Sequence, residues 1–277
     1  MRKLLATDLD GTLLKDNKVT EENSESVYKF QKEENLLVIS TGRPYNGIGM
    51  LKEENNIIAD YYILLNGALV VDSLGNMIEQ KFIEKDIIEN ILEDVFENNT
   101  FISLESGYMT YILTEDDDLP YPIKKKVNSL GEIEDKLSLI TVYSPMKEIY
   151  EIEILKNNIN KKYGENIIAY RNDKYIDIVP VGCSKGSALK DLVEKEQTIE
   201  DNVYAIGDSW NDVSMFEAVK NSFTFNYAET ELKKHATYIV SSVSECIEKF
   251  ILGNWGKRYI IINVKYRFYE EGFYVSN

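Results

Sequence analysis

The sequence predicts an α/β fold in which a core built on a parallel sheet is interrupted by an inserted α+β unit. Short apolar runs alternate with amphipathic helical stretches at both ends of the chain, whereas the middle contains paired strands with a different spacing. The chain has 277 residues, of which 44% are hydrophobic and 28% charged. This composition supplies enough apolar surface for one large or two medium domains.

The core elements are predicted from apolar runs that stop at polar residues. Strands and helices that alternate along a chain form right-handed β-α-β units around a parallel sheet, so we expect a Rossmann-like core. The predicted core strands are residues 4–7, 36–39, 61–65 and 203–206. The predicted core helices are residues 21–34, a stretch ending at 54, and residues 187–196, 211–219 and 243–252.

The middle of the chain is predicted to form a separate α+β unit. Its predicted strands are residues 101–105, 108–114, 137–143, 167–170 and 175–179, and its predicted helices are residues 86–97 and 146–163. The acidic run 115–118 is expected to be a solvated loop.

These elements divide the chain into a discontinuous core and an insertion. The core is expected to comprise residues 1–83 and 181–254, and the inserted α+β cap residues 84–180. Residues 255–277 form an additional C-terminal extension of unknown role. That extension could pair on an exposed sheet edge, mediate dimerisation or have no function.

Charge and targeting signals limit the partners. The 31 Lys and Arg against 47 Asp and Glu give a formal net charge of −16, which disfavours nucleic acid and anionic membranes. No apolar run approaches the ~18 residues needed to span a bilayer, and the start of the chain lacks a signal-peptide pattern. We therefore expect a cytoplasmic monomer or homodimer whose partner is a small molecule.

Carboxylates gather where the predicted strands end. Asp8 and Asp10 follow the first strand, and Asp208 and Asp212 flank the start of a late helix. Ligands of open parallel sheets bind beyond the carboxyl ends of the strands, so these side chains should converge. Such a cluster is costly without a cation, and Mg²⁺ is the natural occupant because it takes oxygen ligands. Alternatively, each aspartate is a turn residue or an N-cap.

Two further features suit a phosphorylated ligand. Lys185, at the start of a predicted helix, provides a positive charge for a phosphoryl group, and Gly11 provides a turn whose backbone N–H groups can face an anion.

Four ordered motifs resemble those of the haloacid dehalogenase superfamily. They are Asp8-Leu9-Asp10-Gly11-Thr12-Leu13, Ser40-Thr41-Gly42-Arg43-Pro44, Lys185-Gly186 and Gly207-Asp208-Ser209-Trp210-Asn211-Asp212. Asn66-Gly67-Ala68, the position of the cap and the late Asn226 narrow the resemblance to the Cof-type hydrolases. The resemblance covers residues 2 to 252.

The resemblance implies a phosphatase that acts on small phosphate monoesters through an aspartyl-phosphate, with Mg²⁺ as cofactor. It implies Asp8 as nucleophile and Asp10 as general acid and base, with Thr41 and Lys185 as the other catalytic residues. The implied metal ligands are Asp8, Asp10 through its backbone carbonyl, and Asp208 as the main ligand, with Asp212 as a further ligand or as a residue that supports the ligands. The implied substrate-binding residues are Gly11, Thr12, Gly42, Arg43, Asn66, Asn211 and Asn226.

Several points stay open at this level. Sugar phosphates and phosphorylated cofactors are both candidate substrates, and the same nucleophile would serve a phosphomutase, a phosphotransferase or a ligand sensor on a phosphatase scaffold. Arg43 could reach the substrate or the cap, or could join two loops in a salt bridge. The cap residues considered as readers of the leaving group are Tyr108, Arg171, Lys174 and Tyr175.

Overall fold

The computed structural model describes residues 2–16, 18–97, 99–114, 119 and 121–253. The acidic run 115–118 and the extension 255–277 lie outside these residues.

Eight strands form the core sheet. In sheet order they are β14-β13-β12-β1-β2-β3-β4-β5. Their bounds are β1 Leu4–Thr7, β2 Leu36–Ser40, β3 Tyr61–Leu64, β4 Leu69–Asp72, β5 Met77–Gln80, β12 Val203–Ile206, β13 Asn221–Phe225 and β14 Tyr238–Val240. The six strands from β14 to β3 run parallel, and β4 and β5 add an antiparallel edge. The α/β fold with a parallel sheet is thus confirmed.

Both faces of the core sheet are covered, which explains why its central strands are continuously apolar. Side chains along a strand point alternately to opposite faces. Accordingly, Leu5 and Leu37 belong to one hydrophobic cluster, and Leu4 and Val38 to another. The helices of the core are α1 Glu21–Lys32, α2 Gly49–Glu53, α5 Lys185–Lys195, α6 Val213–Ala218 and α7 Val243–Glu245, the last continuing as a π-helical turn over Cys246–Ile251.

A second sheet of six strands has its own hydrophobic core. Its order is β10-β11-β9-β6-β7-β8. The strands are β6 Phe101–Glu105, β7 Thr110–Ile112, β8 Lys124–Lys126, β9 Leu139–Tyr143, β10 Ile167–Asn172 and β11 Tyr175–Pro180. Helices α3 (Lys85–Val95) and α4 (Ile149–Tyr163) pack on one face, where Ile102, Ile140 and Ile178 meet Ile91 and Ile152.

The opposite face of this second sheet lies over the carboxyl ends of the core strands. Asn66, in the turn after β3, donates from Nδ2 to Asp177 Oδ2 on β11 at 2.8 Å. Arg171 on β10 pairs with Glu229 of the core at 3.2 Å. The second sheet therefore forms a cap over the edge at which the predicted carboxylates converge. Within the part of the chain described, none of the helices is both long and apolar enough to cross a bilayer.

Candidate active site

Parallel pairing brings Asp8 and Asp208 to the same edge. Thr7, the last residue of β1, is in register with Ile206, the last residue of β12. The backbone N–H of Asp8 donates to the Ile206 carbonyl at 2.9 Å, so the two chains leave the sheet side by side. The carboxylates of Asp8 and Asp208 thus meet because their strands are direct neighbours.

Lys185 joins two of the carboxylates. Its Nζ donates to Asp8 Oδ1 at 2.6 Å and to Asp212 Oδ1 at 2.7 Å. The side chains of Lys185 and Asp212 are 0% exposed and that of Asp8 is 7% exposed. Burial alone would lower the pKa of Lys185, but the carboxylates of Asp212 and Asp8 outweigh it and raise the pKa. Lys185 is therefore a fixed cation beneath the site.

The Asp8 carboxyl lies in an electrostatically demanding position. Burial and then the Asp212 carboxylate raise the pKa of Asp8 well above its ordinary value, and Lys185 opposes this effect. Asp8 Oδ2 is buried and has no hydrogen-bond partner, whereas Oδ1 is taken by Lys185. The free oxygen is the atom of Asp8 that can contact a ligand.

Asp208 is positioned by the turn after β1. Thr12 Oγ1 donates to Asp208 Oδ1 at 2.9 Å. Gly11 has φ +81°, and a Cβ built on it would lie 2.4 Å from Asp208 Oδ2, so glycine is required both by the backbone and by the approach of the carboxylate. The Gly11 N–H donates to the Leu14 carbonyl at 2.9 Å, and its own carbonyl accepts from Tyr227 Oη at 2.6 Å. Gly11 and Thr12 thus shape the acidic edge.

Asp212 uses both of its oxygens internally. Oδ2 accepts from the backbone N–H groups of Asp208 and Ser209, each at 2.9 Å, while Oδ1 accepts from Lys185. A Cβ on Gly207 would lie 2.4 Å from the Asp212 carboxyl carbon, so glycine leaves room for this arrangement. Asp212 therefore holds the turn that carries Asp208 and orients Lys185.

The donor set fits a divalent cation. Carboxylate oxygens of Asp8, Asp208 and Asp212 all lie within 4.8 Å of one another. Burial and then the Asp212 carboxylate raise the pKa of Asp208 to about 6. Three carboxylates with one ammonium among them leave uncompensated negative charge, and Asp8 Oδ2 is a buried oxygen without a partner. Hard oxygen donors in this arrangement suit a cation such as Mg²⁺.

The carboxylate of Asp10 is not among the three that cluster, and it pairs with Arg43. The guanidinium donates from Nε to Asp10 Oδ2 at 2.7 Å and from Nη2 to Oδ1 at 2.6 Å. Its Nη1 donates to the Gly47 carbonyl at 3.0 Å, which fixes the guanidinium plane. Of the roles left open for Arg43, the structure shows the bidentate salt bridge.

A cavity of about 270 Å³ lies between the acidic edge and the cap. Among the described residues, its lining consists of Asp8, Asp10, Thr41, Gly42, Arg43, Pro44, Ser103, Glu105, Leu119, Tyr121, Leu139, Thr141, Asn172, Tyr175, Asp177, Ser209 and Asn211. Of the residues considered as cap readers, Tyr175 belongs to this lining. Glu105, Tyr121 and Asp177 line the cavity without having been predicted from the sequence, since they reach it through the packing of the cap on the core.

The remaining predicted substrate residues have three different placements. Gly42 and Asn211 line the cavity. Asn66 lies behind it, accepting from Asn211 Nδ2 at 3.1 Å and donating to Asp177. Asn226 is exposed just beyond β13 and is not part of the cavity wall formed by the described residues.

Fold and site together define an α/β enzyme with an acidic, cation-suited sheet edge beneath a cap. A family model described as haloacid dehalogenase-like hydrolase matches residues 5–251. The chain belongs to the haloacid dehalogenase-like hydrolases and is of the Cof type, as its motifs predict.

Two relatives and one solved structure are similar to this chain over most of its length. Two proteins of Bacillus subtilis strain 168, YcsE and YwtE, are each named 5-amino-6-(5-phospho-D-ribitylamino)uracil phosphatase. YcsE is 26% identical over 262 residues, which cover 90% of this chain and 96% of YcsE. YwtE is 25% identical over 273 residues, which cover 88% and 94%. A haloacid dehalogenase-like hydrolase from B. subtilis has a TM-score of 0.80 at 22% identity, over 90% of this chain and 99% of that one, and shows the same fold.

Proposed function

We propose that the protein is a Mg²⁺-dependent phosphatase that hydrolyses small phosphate monoesters through an aspartyl-phosphate on Asp8. The observation that carries the proposal is the buried Asp8 carboxyl, which lines the cavity and has Oδ1 held by Lys185 and Oδ2 without a hydrogen-bond partner. The family and the phosphatases YcsE and YwtE support the same reaction class.

In the first step, Asp8 Oδ2 attacks phosphorus and the bond from phosphorus to the leaving oxygen breaks. Lys185 keeps the carboxyl aligned through Oδ1, and Thr41 lines the cavity. The Thr41 hydroxyl accepts from the Arg43 N–H at 3.2 Å, which leaves its own proton as the proposed donor to a phosphoryl oxygen. Stabilising charge at fixed positions is the main requirement of phosphoryl transfer.

Asp10 is the proposed general acid and base. It would protonate the leaving oxygen in the first step and take a proton from water in the second, when water attacks phosphorus and the bond to Asp8 breaks. Arg43 holds both oxygens of Asp10 at 2.6 and 2.7 Å, so it sets where the carboxyl lies relative to the cavity. We propose that Arg43, which also lines the cavity, positions the carboxyl group of Asp10.

The proposed cation would be held by Asp8, Asp208 and the backbone carbonyl of Asp10. When bound, Mg²⁺ would neutralise phosphoryl charge. Asp212 supports this site by orienting Asp208 and Lys185, because both of its oxygens already accept hydrogen bonds.

The test is release of inorganic phosphate from p-nitrophenyl phosphate and a panel of sugar and polyol phosphates, with Mg²⁺ and with EDTA. We expect turnover that requires Mg²⁺ and is lost in Asp8→Asn. Asp191→Asn, an exposed residue of α5, is the matched control and should retain full activity.

Two outcomes would contradict the proposal. Steady-state hydrolysis by Asp8→Asn at the rate of the unmodified protein would exclude Asp8 as nucleophile. Transfer of phosphate to an added alcohol in preference to water would instead identify a phosphotransferase or phosphomutase.

A further inference from the structure

The wall of the cavity opposite Asp8 is formed by one face of the cap sheet. Ser103 and Glu105 on β6 point to this face, while Ile102 and Leu104 point into the hydrophobic core of the cap. Alternate residues of β6 therefore pack in the core of the cap or line the cavity. Packing of the cap does not explain why the residues that line the cavity are polar.

Strand register arranges the cavity residues in rows. Ser103 pairs with Thr141, and Thr141 pairs with Asp177, so three polar side chains lie side by side across β6, β9 and β11. The adjacent row is aromatic and consists of Phe101, Tyr143 and Tyr175, whose neighbouring rings lie 5.7 and 4.3 Å apart. Glu105 lies two residues beyond Ser103 on the same face of β6. We call Ser103, Thr141, Asp177 and Glu105 together the polar row.

Glu105 is a buried carboxyl that the catalytic mechanism does not use. Its relative exposure is 1%. Oε2 accepts from Thr110 Oγ1 at 2.6 Å, and Oε1 accepts from Ser103 Oγ at 3.3 Å. A carboxyl group has about four acceptor positions, so two hydroxyl donors leave capacity for a ligand. Burial raises the pKa of Glu105 to about 8, so near neutral pH the group can donate as well as accept.

The charge of the cavity limits what the far end of a substrate can carry. Among the described residues of the lining, Arg43 has the only permanent positive charge, and Asp10 occupies it in a bidentate pair. The polar row contributes Asp177 and Glu105 and no cation. A second phosphate or a carboxylate on the leaving group would therefore lose its hydration in the cavity without gaining a counter-charge from these residues.

The size of the cavity adds a further limit. Its volume of about 270 Å³ lies just below the range of roughly 300–1,000 Å³ that is typical of pockets for drug-sized ligands. A leaving group of a few carbons fits this space better than a flavin or a dinucleotide.

We propose that the polar row binds the hydroxyl groups of a small, uncharged polyol or sugar leaving group, and that Glu105 is its specificity-determining residue. This inference rests on the proposed phosphatase function. It selects neutral polyhydroxylated monoesters from the wider set of phosphate monoesters that the catalytic residues alone would accept.

The experiment compares neutral polyol phosphates of three to six carbons with the corresponding aldonic acid phosphates, which carry a carboxylate on the leaving group. A third substrate, p-nitrophenyl phosphate, has a leaving group without further hydroxyl groups. We expect kcat/KM to favour the best neutral member over its acid partner by about tenfold or more. In Glu105→Leu, kcat/KM for that member should fall about tenfold or more, chiefly through KM, because buried hydrogen bonds to the carboxyl are lost. Hydrolysis of p-nitrophenyl phosphate should change by less than about threefold.

Two further variants complete the design. Glu105→Gln keeps a polar group of the same shape, so its KM should lie between those of the unmodified protein and Glu105→Leu, and it carries the test if the leucine variant does not fold. Glu165→Gln, an exposed cap residue, should have unchanged kinetics.

The outcomes separate the two proposals. Hydrolysis of p-nitrophenyl phosphate together with a preference for acid partners, or with no effect of either Glu105 variant on KM, would overturn the inference while leaving the phosphatase intact. Absence of hydrolysis of every substrate would overturn the proposed function and the inference with it.

Discussion

Replacing Lys185 with methionine removes the ammonium that lies between two buried carboxylates. Its Nζ is 2.6 Å from Asp8 and 2.7 Å from Asp212. At these distances each pair contributes about 6 kcal/mol of Coulomb energy with an effective dielectric constant of about 20. Most of this offsets the desolvation of the ions, and breaking a buried pair costs about 3–5 kcal/mol net. We therefore expect Lys185→Met to lower the free energy of unfolding by about 3–5 kcal/mol.

Activity should fall further than stability alone explains. Without the ammonium, the carboxylates of Asp8 and Asp212 face each other directly, which raises the pKa of Asp8 and disfavours its nucleophilic form. Loss of one preorganised charge at a reacting group costs about 10²–10³ in kcat, so we expect at least this decrease in phosphate release.

The assay combines urea unfolding with kcat for p-nitrophenyl phosphate. Lys190→Met, an exposed position on the same helix, is the control and should affect neither quantity. The double variant Lys185→Met/Asp212→Asn removes the repelling charge as well, so it should recover part of the stability and none of the activity. A kcat within about threefold of the unmodified value in Lys185→Met would refute the reasoning.

Three further perturbations test other parts of the site. Gly11→Ala should weaken Mg²⁺ binding about tenfold or more, because the added Cβ would displace the carboxylate of Asp208; an unchanged Mg²⁺ affinity by calorimetry would contradict this. Mg²⁺ at about 100 times its dissociation constant should add about 2.7 kcal/mol to the free energy of unfolding, and Asp208→Asn should abolish that gain in thermal melts. The pKa of Glu105 is about 8 in the folded protein and 4.5 ordinarily, so the folded state holds one more proton between these values. The contribution of Glu105 to the free energy of unfolding should therefore decrease as pH rises through this window, by about 1.4 kcal/mol per pH unit. Urea unfolding at several pH values measures this dependence, and Glu105→Gln should lack it. The same pH dependence in Glu105→Gln as in the unmodified protein would contradict the prediction.

The acidic edge is predictable because its residues follow apolar runs directly. Asp8 follows β1 directly, and Asp208 follows β12 after one intervening glycine. The side chains of both strands are almost all buried, and a parallel sheet brings the carboxyl ends of its strands to one edge. The motifs then identify Lys185, which no periodicity would connect to Asp8 across 177 positions.

Other features depend on packing that the local sequence does not encode. Strand β8 consists of three exposed lysines and has no apolar pattern, so only its pairing with β7 defines it. Strand β5 is likewise mostly exposed. Glu105 resembles any strand-end carboxylate in the sequence, and its place in the cavity follows from the docking of the cap on the core.

The pairing partners of β1 have a consequence for the order in which the molecule assembles. Leu4 lies beside Leu36 on one side and beside Val203 on the other. The second contact closes a loop of roughly 200 residues and must wait for the chain on the ribosome to extend past the cap, which has a hydrophobic core of its own. We expect the cap to fold first and the pairing of β1 with β12 to form afterwards. Asp208 then joins Asp8 late in folding, so we expect the acidic edge to be incomplete, and the proposed hydrolysis absent, in the nascent protein until this pairing forms.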